Sequence, residues 1–417
     1  VTEVVSETLT EAVIATAVSE TSAQAVTAEY PVFTPEPAPL PTENYTKNSY
    51  KAINYSEMKG VWISYIEVSV LLRGKSESEF RQAAVQIYEN CLSLGINTVY
   101  VHARAFGDSF YYSELFPFTK HISGAVGVKT DYDPYLTLID EAHKRGISFH
   151  AWINPLRLCG SGDLNAVSSD YQIKKWYNSS TFNGSYLVQV DGTWYLNPAY
   201  DQTVKLVSDG VREIVSRYNV DGIHIDDYFY PTTDESFDSI AYAASNAPSL
   251  SAFRTENCNK LVREIYRAAH ECSDTVVFGI SPQGSNSNNL DLLYADVRAW
   301  CKGGYVDYFV PQIYYGFQNS TLPFKECADE WDDIVNGTQT QLCIGLAVYK
   351  IGAEDQWADE GRYEWLNSDT MLRRQIEYAQ SCKNYGGVAL YCYNYLFTEG
   401  FLTLQSKKKL TILKVCW

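Results

Sequence analysis

From Met58 onward, short apolar runs alternate with longer stretches in which apolar residues recur every three or four positions. The runs span Gly60–Ile66, Thr98–Arg104, Ser148–Asn154, Gly222–Asp226, Val276–Ser281, Tyr308–Tyr314, Leu342–Val348 and Val388–Tyr393. Their length and their β-branched and aromatic content predict strands. Between them, stretches such as Ser78–Leu94, Asp133–Arg145, Thr203–Tyr218, Leu250–Cys272, Leu290–Cys301 and Asp369–Tyr385 carry helical spacing. Glycine stops pass several helices straight to the next strand, as in Leu94-Gly95-Ile96, Arg145-Gly146-Ile147 and Tyr385-Gly386-Gly387, because glycine tolerates the left-handed turn that ends a helix. Strand followed by helix, eight times over, predicts an α/β fold, the (β/α)8 TIM barrel. An open doubly wound sheet is the competing arrangement, but no Gly-rich phosphate loop follows the first strand.

The flanks have a different texture. Residues 1–45 are rich in Val, Thr, Ala and Glu, contain no Lys, Arg or Asp, and end in the prolines 31, 35, 37, 39 and 41. This composition predicts a disordered, solvated N-terminal spacer. The expected plan is a spacer over 1–56, a catalytic barrel over 57–400 and a tail over 401–417. At 417 residues the chain suits one barrel with appendages. No run of 18 apolar residues is present, so no membrane span is expected. The sequence lacks an initiator Met, and an extracellular or cell-surface location is expected, with the export or anchor segment outside it.

Charge and composition narrow the partners. A net charge of −17 argues against nucleic acid or an anionic membrane, since both are bound through basic patches. It tolerates a neutral polymer, and an anionic one only where the cleft is locally basic. The ten cysteines form no C-x-x-C pair and no Cys/His ligand spacing, so neither a metal nor a cofactor is expected. The 33 Tyr and 9 Trp suit a polysaccharide substrate, because sugar C–H faces stack on aromatic rings while sugar hydroxyls find polar partners. A monomer is expected.

In a barrel the reactive groups stand at the carboxyl ends of the strands. These ends read Trp62-Ile63-Ser64-Tyr65, His102-Ala103-Arg104, Trp152-Ile153-Asn154, His224-Ile225-Asp226-Asp227-Tyr228, Ser281-Pro282-Gln283, Gln312-Ile313-Tyr314-Tyr315 and Tyr391-Cys392-Tyr393. Side chains two apart share a face of a strand, so His224, Asp226 and Tyr228 are expected in one mouth with Gln312 and Tyr314. A carboxylate pair there needs partners or a task. Asp226 and Asp227 are the catalytic candidates. Trp62, His102, Arg104, Asp108, Trp152, Asn154, His224, Tyr228, Ser281, Gln283, Gln312 and Tyr393 are candidate substrate contacts. Asp221 and Asp307 open their strands and belong to the closed bottom. Glycosidic bonds are broken by two carboxyl groups, unless the substrate's own acetamide is the nucleophile. In a two-carboxylate scheme Asp226 is nucleophile or base, and Glu67 or Asp108 supplies the acid. A wall-binding barrel without catalysis is the non-enzymatic alternative.

Several stretches resemble the glycosyl-hydrolase-like 10 family of bacterial barrel proteins. They are Lys-Gly-Val-Trp (59–62), Val-His-Ala-Arg-Ala-Phe-Gly-Asp-Ser-Phe-Tyr (101–111), Asp-Glu-Ala-His-Lys-Arg-Gly (140–146) and His-Ala-Trp-Ile-Asn-Pro (150–155). Asp-Gly-Ile-His-Ile-Asp-Asp-Tyr-Phe-Tyr-Pro (221–231), Gly-Ile-Ser-Pro (279–282) and Pro-Gln-Ile-Tyr-Tyr (311–315) complete the set. The resemblance covers roughly residues 57–397 and implies a glycoside hydrolase, with peptidoglycan glycan strands stripped of their peptides as one substrate of the family. Asp221–Tyr228 is also distantly similar to the fourth-strand motif of family 18 chitinases, but Tyr228 stands where those enzymes carry their acid Glu. The likeness puts Asp226 on the Asp that orients the substrate acetamide, and Tyr314 on the Tyr that steadies its carbonyl. In family 84 hexosaminidases an adjacent Asp pair divides the work, the first polarising the acetamide and the second acting as acid/base. Asp226 and Asp227 resemble that pair.

Overall fold

The computed structural model describes residues 45–401. Its main sheet is a closed parallel barrel of β1 (Met58–Ile63), β2 (Thr98–Arg104), β3 (Ser148–Ile153), β7 (Gly222–Ile225), β8 (Val277–Ile280), β9 (Tyr308–Phe309), β10 (Gln341–Ala347) and β11 (Tyr385–Tyr391). The neighbour order β1-β11-β10-β9-β8-β7-β3-β2 returns to β1. The fold is therefore the TIM barrel that the alternation predicts. Parallel strands covered by helices are apolar on both faces, and every residue of β2 and β3 is buried.

The inner face is filled by large rings set against small neighbours. A Cβ on Gly279 would stand 1.9 Å from Cζ of Tyr308, and one on Gly222 would stand 2.5 Å from Nδ1 of His150. Glycine at these two positions is what lets the rings cross the barrel axis. Met58, Trp62, Tyr100, Trp152 and Tyr308 form this inner cluster. Outside, the helix Asp201–Arg217 buries Val204, Leu206, Val207, Val211, Ile214 and Val215 along one side.

Three elements depart from the sequence pattern. The run Tyr308–Tyr314 is regular strand only at Tyr308–Phe309, since Pro311 has no N–H for a ladder, and Gln312 rejoins the sheet through bridges to Gln283 and Gly345. The stretch Leu290–Cys301 divides into helices Asn286–Asp291 and Val297–Gly303, because the Asp296 side chain caps the second by accepting from Ala299 N at 2.9 Å. The last expected helix is confined to Met371–Ala379. A small antiparallel sheet in the order β4-β6-β5 was not foreseen. It is made by β4 (Arg157–Gly160), β5 (Leu187–Val190) and β6 (Thr193–Leu196), and it is inserted after β3. Its hairpin turns on Asp191-Gly192, both at positive φ, the conformation that a two-residue hairpin loop requires.

The bottom of the barrel is closed by the segment before β1. Asp221 accepts from Ile53 N at 2.6 Å, Phe149 N at 2.7 Å and Tyr50 OH at 2.8 Å, with His143 Nε2 at 2.8 Å. Asp307 accepts from Phe278 N at 2.6 Å and faces His270 Nε2 at 3.0 Å. Both aspartates thus act on the closed face. The segment 45–56, assigned to the spacer above, is fastened to the barrel from Asn48 onward: Asn48 N donates to Cys272 O at 2.7 Å and Ala52 N to Thr275 Oγ1 at 3.0 Å. Residues 1–44 and 402–417 lie outside the described residues. Among the described residues no helix is long and apolar enough to cross a membrane, and the nine described cysteines are free thiols.

Replacing Asp221 with Ala strands several buried donors at once. The expected cost is about 3 kcal/mol or more, read as a lowered denaturant midpoint with the m-value retained. An unchanged midpoint would show that Asp221 does not hold the strap.

Candidate active site

Strand β7 ends at Ile225, so Asp226 and Asp227 stand in the turn beyond it. Strand parity no longer separates them, and both carboxyl groups face the mouth. Asp226 Oδ2 accepts from Trp152 Nε1 at 3.0 Å, and Oδ1 accepts from Tyr228 N at 3.3 Å. The side chain of Asp227 is hydrogen-bonded by the carboxamides of Gln312 and Gln283. Gln312 is itself anchored by its Nε2 on Ser281 O at 3.0 Å. Burial raises the pKa of Asp226 well above the usual carboxyl range, and the neighbouring Asp227 charge adds to it. Burial also raises Asp227, with its carboxamide neighbours and Arg157 pulling the other way. Two adjacent carboxyls in this setting retain a proton between them at higher pH than a free aspartate would.

Beneath the pair lies a buried floor of neutral rings. Trp152 stacks on His102 with centroids 3.5 Å apart and planes 18° apart, and His102 Nδ1 accepts from Tyr65 N at 3.0 Å. One layer lower, Trp62 Nε1 lies 3.2 Å from His224 Nε2. An indole N–H can only donate, so His224 Nε2 is an acceptor and its proton sits on Nδ1. That proton points to Tyr308 Oη at 3.0 Å. Tyr308 then donates to His150 Nδ1 at 2.7 Å, and His150 Nε2 donates to Ser148 Oγ at 3.1 Å. One fixed donor thereby sets every proton down the barrel axis. Burial lowers His224 and His102 well below the ordinary imidazole value and brings His150 to about 4, so the axis is uncharged at neutral pH.

Arg157 is the functional residue that the strand-end reading misses. It opens β4, where pairing with Tyr195 of β6 holds it in place. Its guanidinium carbon lies 4.3 Å from the Tyr228 ring centre and 4.6 Å from that of Phe106. Nε and Nη2 each donate to Ala105 O at 3.3 Å. Its charge favours the ionised form of both aspartates. Tyr349 and Tyr391 were also missed; they pack against Tyr314 with centroids 5.9 Å away in each case.

Several expected contacts take other roles. Arg104 points outward into the helix layer. The ladder between β2 and β3 shifts register between His102 and Arg104, and a one-residue slip turns a side chain to the opposite face. Its guanidinium lies 3.7 Å from the centre of the Phe116 ring, against Gly210 of the helix Asp201–Arg217. Tyr393 also points outward, its hydroxyl accepting from Asn90 Nδ2 at 2.8 Å on the helix Glu77–Ser93. Trp62, His102, Asn154, His224 and Ser281 are buried as floor and wall, with at most 2% exposure each, which leaves no surface for a sugar. Asn154 ties Ala105 O at 2.9 Å, and Ser281 Oγ faces His224 Nε2 at 3.1 Å. Trp152, 5% exposed, acts on Asp226 through its N–H. The Asp108 carboxyl is pushed up to about 6 by burial, yet it holds its own turn by accepting from Phe106 N at 3.2 Å. Glu67 is taken up by a capping box, accepting from Ser64 N at 2.8 Å, Cys392 Sγ at 2.9 Å and Asn394 N at 3.3 Å. The residues gathered at the mouth are thus Asp226, Asp227, Tyr228, Gln283, Gln312, Tyr314 and Arg157. Among the described residues no group of three or more His, Cys, Asp or Glu is placed to hold a metal ion.

A closed parallel barrel with an adjacent acid pair, Asp226 buried and Asp227 part-exposed, at its C-terminal mouth is an architecture that suits a barrel glycoside hydrolase. The chain belongs to the glycosyl hydrolase-like 10 family, whose model matches residues 57–360. Glycosyl hydrolase YngK of Bacillus subtilis (strain 168) is 31% identical over 351 residues, which cover 77% of this chain and 66% of that relative. This chain therefore spans just under two thirds of that relative's length. Glycosyl hydrolase DigH of Escherichia coli (strain K12) is 29% identical over 380 residues, covering 81% of this chain and 83% of that one. The catalytic domain of the beta-amylase from Paenibacillus polymyxa aligns with a TM-score of 0.50 at 12% identity, over 87% of this chain and 99% of that one; this likeness concerns the fold alone.

Trp152→Phe keeps the ring on His102 and removes one N–H from Asp226. Losing a donor to a carboxylate is worth roughly 1.5–3 kcal/mol. The donor favours the ionised form, so its loss raises the pKa of the pair. The alkaline limb of kcat/KM should move to higher pH, with kcat lowered about tenfold or more. An unchanged profile in a folded variant would remove Trp152 from the site. Nitrogen NMR should find His224 with its proton on Nδ1 and His150 with its proton on Nε2, both neutral at pH 6.

Proposed function

We propose that this glycoside hydrolase cleaves a glycan bearing 2-acetamido sugars, peptidoglycan strands or a related wall polymer, at or outside the cell surface. The observation that carries the reading is the unequal setting of two adjacent carboxyls. Asp226 is met by an indole N–H and a backbone N–H, which have no acceptor function and favour a carboxylate. Asp227 is met by two carboxamides and is the less buried of the two aspartates, so it is the member that can reach a glycosidic oxygen. The pair shares one proton, and an acetamide N–H donated to Asp226 by the substrate adds a third donor there and moves that proton to Asp227.

The chemistry follows from that division. Asp227 gives its proton to the glycosidic oxygen as the bond from C1 to the leaving sugar breaks. The acetamide carbonyl oxygen forms the new bond to C1, while Asp226 accepts from the acetamide N–H and balances the charge that develops. Tyr314 donates to the same carbonyl. Asp227, now a carboxylate, takes a proton from the water that opens the cyclised intermediate. The product retains its anomeric configuration, and no sugar becomes attached to the protein. The occupied carboxylate of Glu67 and the turn-holding Asp108 speak against either as a separate acid.

Digestion of peptide-free wall glycan, with product masses, tests the substrate. Asp227→Asn should slow turnover roughly 10²–10⁴-fold, with a smaller loss on substrates whose leaving group needs no proton. Asp226→Asn should slow both kinds, and Tyr314→Phe should resemble it more mildly. A thiazoline mimic of the cyclised intermediate should inhibit. Loss of the shared proton should set the alkaline limb of kcat/KM above the ordinary aspartate range. A trapped glycosyl-Asp226 adduct would replace this mechanism with a two-carboxylate one.

A further inference from the structure

Aromatic side chains in this protein are nearly all covered. Among the described residues only Trp357 and Tyr363 keep about half of their surface in water, at 57% and 49% exposure, and every other ring is at least half-buried. Both lie in the segment 348–368, which leaves the carboxyl end of β10 at the same end of the barrel as the acid pair. The segment starts in the mouth, where Tyr349 packs against Tyr314 and Tyr391 with centroids 5.9 and 6.2 Å away. Further along it brings Trp357 to the surface. The exposure is not that of a loose loop. Lys350 and Asp355 form a buried ion pair at 3.1 Å. Asp355 N donates to Arg362 O at 2.9 Å, Gly361 N to Ala358 O at 2.8 Å and Gly352 N to Trp365 O at 3.1 Å, so the chain closes on itself. Glu364 accepts from Gln318 N at 2.8 Å and ties the segment to the one after β9. The Arg362 guanidinium lies 5.4 Å from the Tyr363 ring centre and is itself held by Glu354 at 2.8 and 3.0 Å. A loop tied in this way has little freedom left to lose when a ligand settles on it.

The chemistry of the patch narrows its occupant. Two half-exposed rings offer roughly 200 Å², far below the about 800 Å² that each partner gives to a stable protein interface. Nucleobases also stack on exposed rings, but a nucleic-acid strand needs a basic groove for its backbone. The exposed charges of this segment are Glu354, Asp359, Glu360 and Arg362, an acidic balance that repels phosphates. A sugar ring fits both size and charge. Its C–H face matches one indole or phenol, and its hydroxyls can donate to the flanking carboxylates.

We propose that Trp357 and Tyr363 form a second glycan-binding platform, outside the mouth, which holds an uncharged sugar of the polymer while another stretch of it is cut. The inference rests on the wall-glycan reading above for the identity of that polymer. The platform does not touch the reacting atoms. It keeps protein and polymer together between one cleavage and the next.

The test compares non-cutting Asp226→Asn with the same protein carrying Trp357→Ala and Tyr363→Ala, by affinity electrophoresis in gels that contain peptide-free wall strands. Affinity should fall roughly tenfold when the rings are lost, and Trp357→Phe with Tyr363→Phe should restore most of it. With Asp226 intact, the same alanine changes should raise KM for long strands and leave kcat in place, the mark of binding that ground state and transition state share. Equal affinities with and without the rings overturn the proposal. A kcat that falls together with kcat/KM also overturns it, since the rings would then belong to the mouth. Self-association of wild type that the alanine variants lose would overturn it too, by making the patch a contact between copies. Strands held through the rings but never cut by wild type would defeat the substrate reading alone. Strands cut and bound equally well without the rings would defeat the platform alone.

Discussion

Two carboxyl groups on consecutive residues cannot both be ionised where water is scarce without strong partners, and the site is arranged around this repulsion. The end of β7 at Ile225 brings both side chains to one mouth, and burial then makes a shared proton the lower-energy state. Trp152 and the Tyr228 amide stabilise charge on one member, the two glutamine carboxamides accommodate the other, and Arg157 moderates the sum. Without the cation and the indole, the pair would hold its proton more tightly. Without burial, it would hold none at neutral pH.

The uncharged axis below serves the same end. A charged imidazole at His224 or His102 would draw the pair towards full ionisation, and burial of both rings prevents it. Neutral partners for the ring nitrogens of His224 and His150 then have to come from inside the barrel, which explains why Tyr308, Ser148 and Ser281 occupy inward positions. Gly279 and Gly222 make room for this chain of rings, so the glycines on the inner face are as much a part of the electrostatics as of the packing.

The barrel was legible because strand and helix periods are strong signals that need no tertiary knowledge. Asp226, Gln283, Gln312 and Tyr314 were placed at the mouth by the same counting, since a strand end and its parity can be read; Asp227, which parity sets on the opposite face from Asp226, reaches the mouth because β7 ends at Ile225. Parity also misled. The register shift between His102 and Arg104 carries no sequence mark, so Arg104 was counted into the mouth although it lies against Phe116. Trp62 and His224 have the right parity but the wrong depth, and depth along a strand depends on barrel tilt and neighbours. Arg157 was hidden for another reason: it reaches the mouth from an inserted sheet whose short strands resemble loop in the sequence. Tyr393 shares its parity with Tyr391, but β11 ends at Tyr391, and beyond that end the Tyr393 ring turns outward to Asn90.

The seam between β1 and β11 has a consequence for biogenesis. Gly60 pairs across it with Ala389, so the first barrel strand waits for the last one to be made. Until then β1 and β10 each present an unpaired ladder edge, the surface on which partly folded chains join one another. Such long-range pairing also forms slowly, because the intervening chain must close first. The barrel therefore cannot close until the strand Tyr385–Tyr391 has been made, late in the synthesis of the chain.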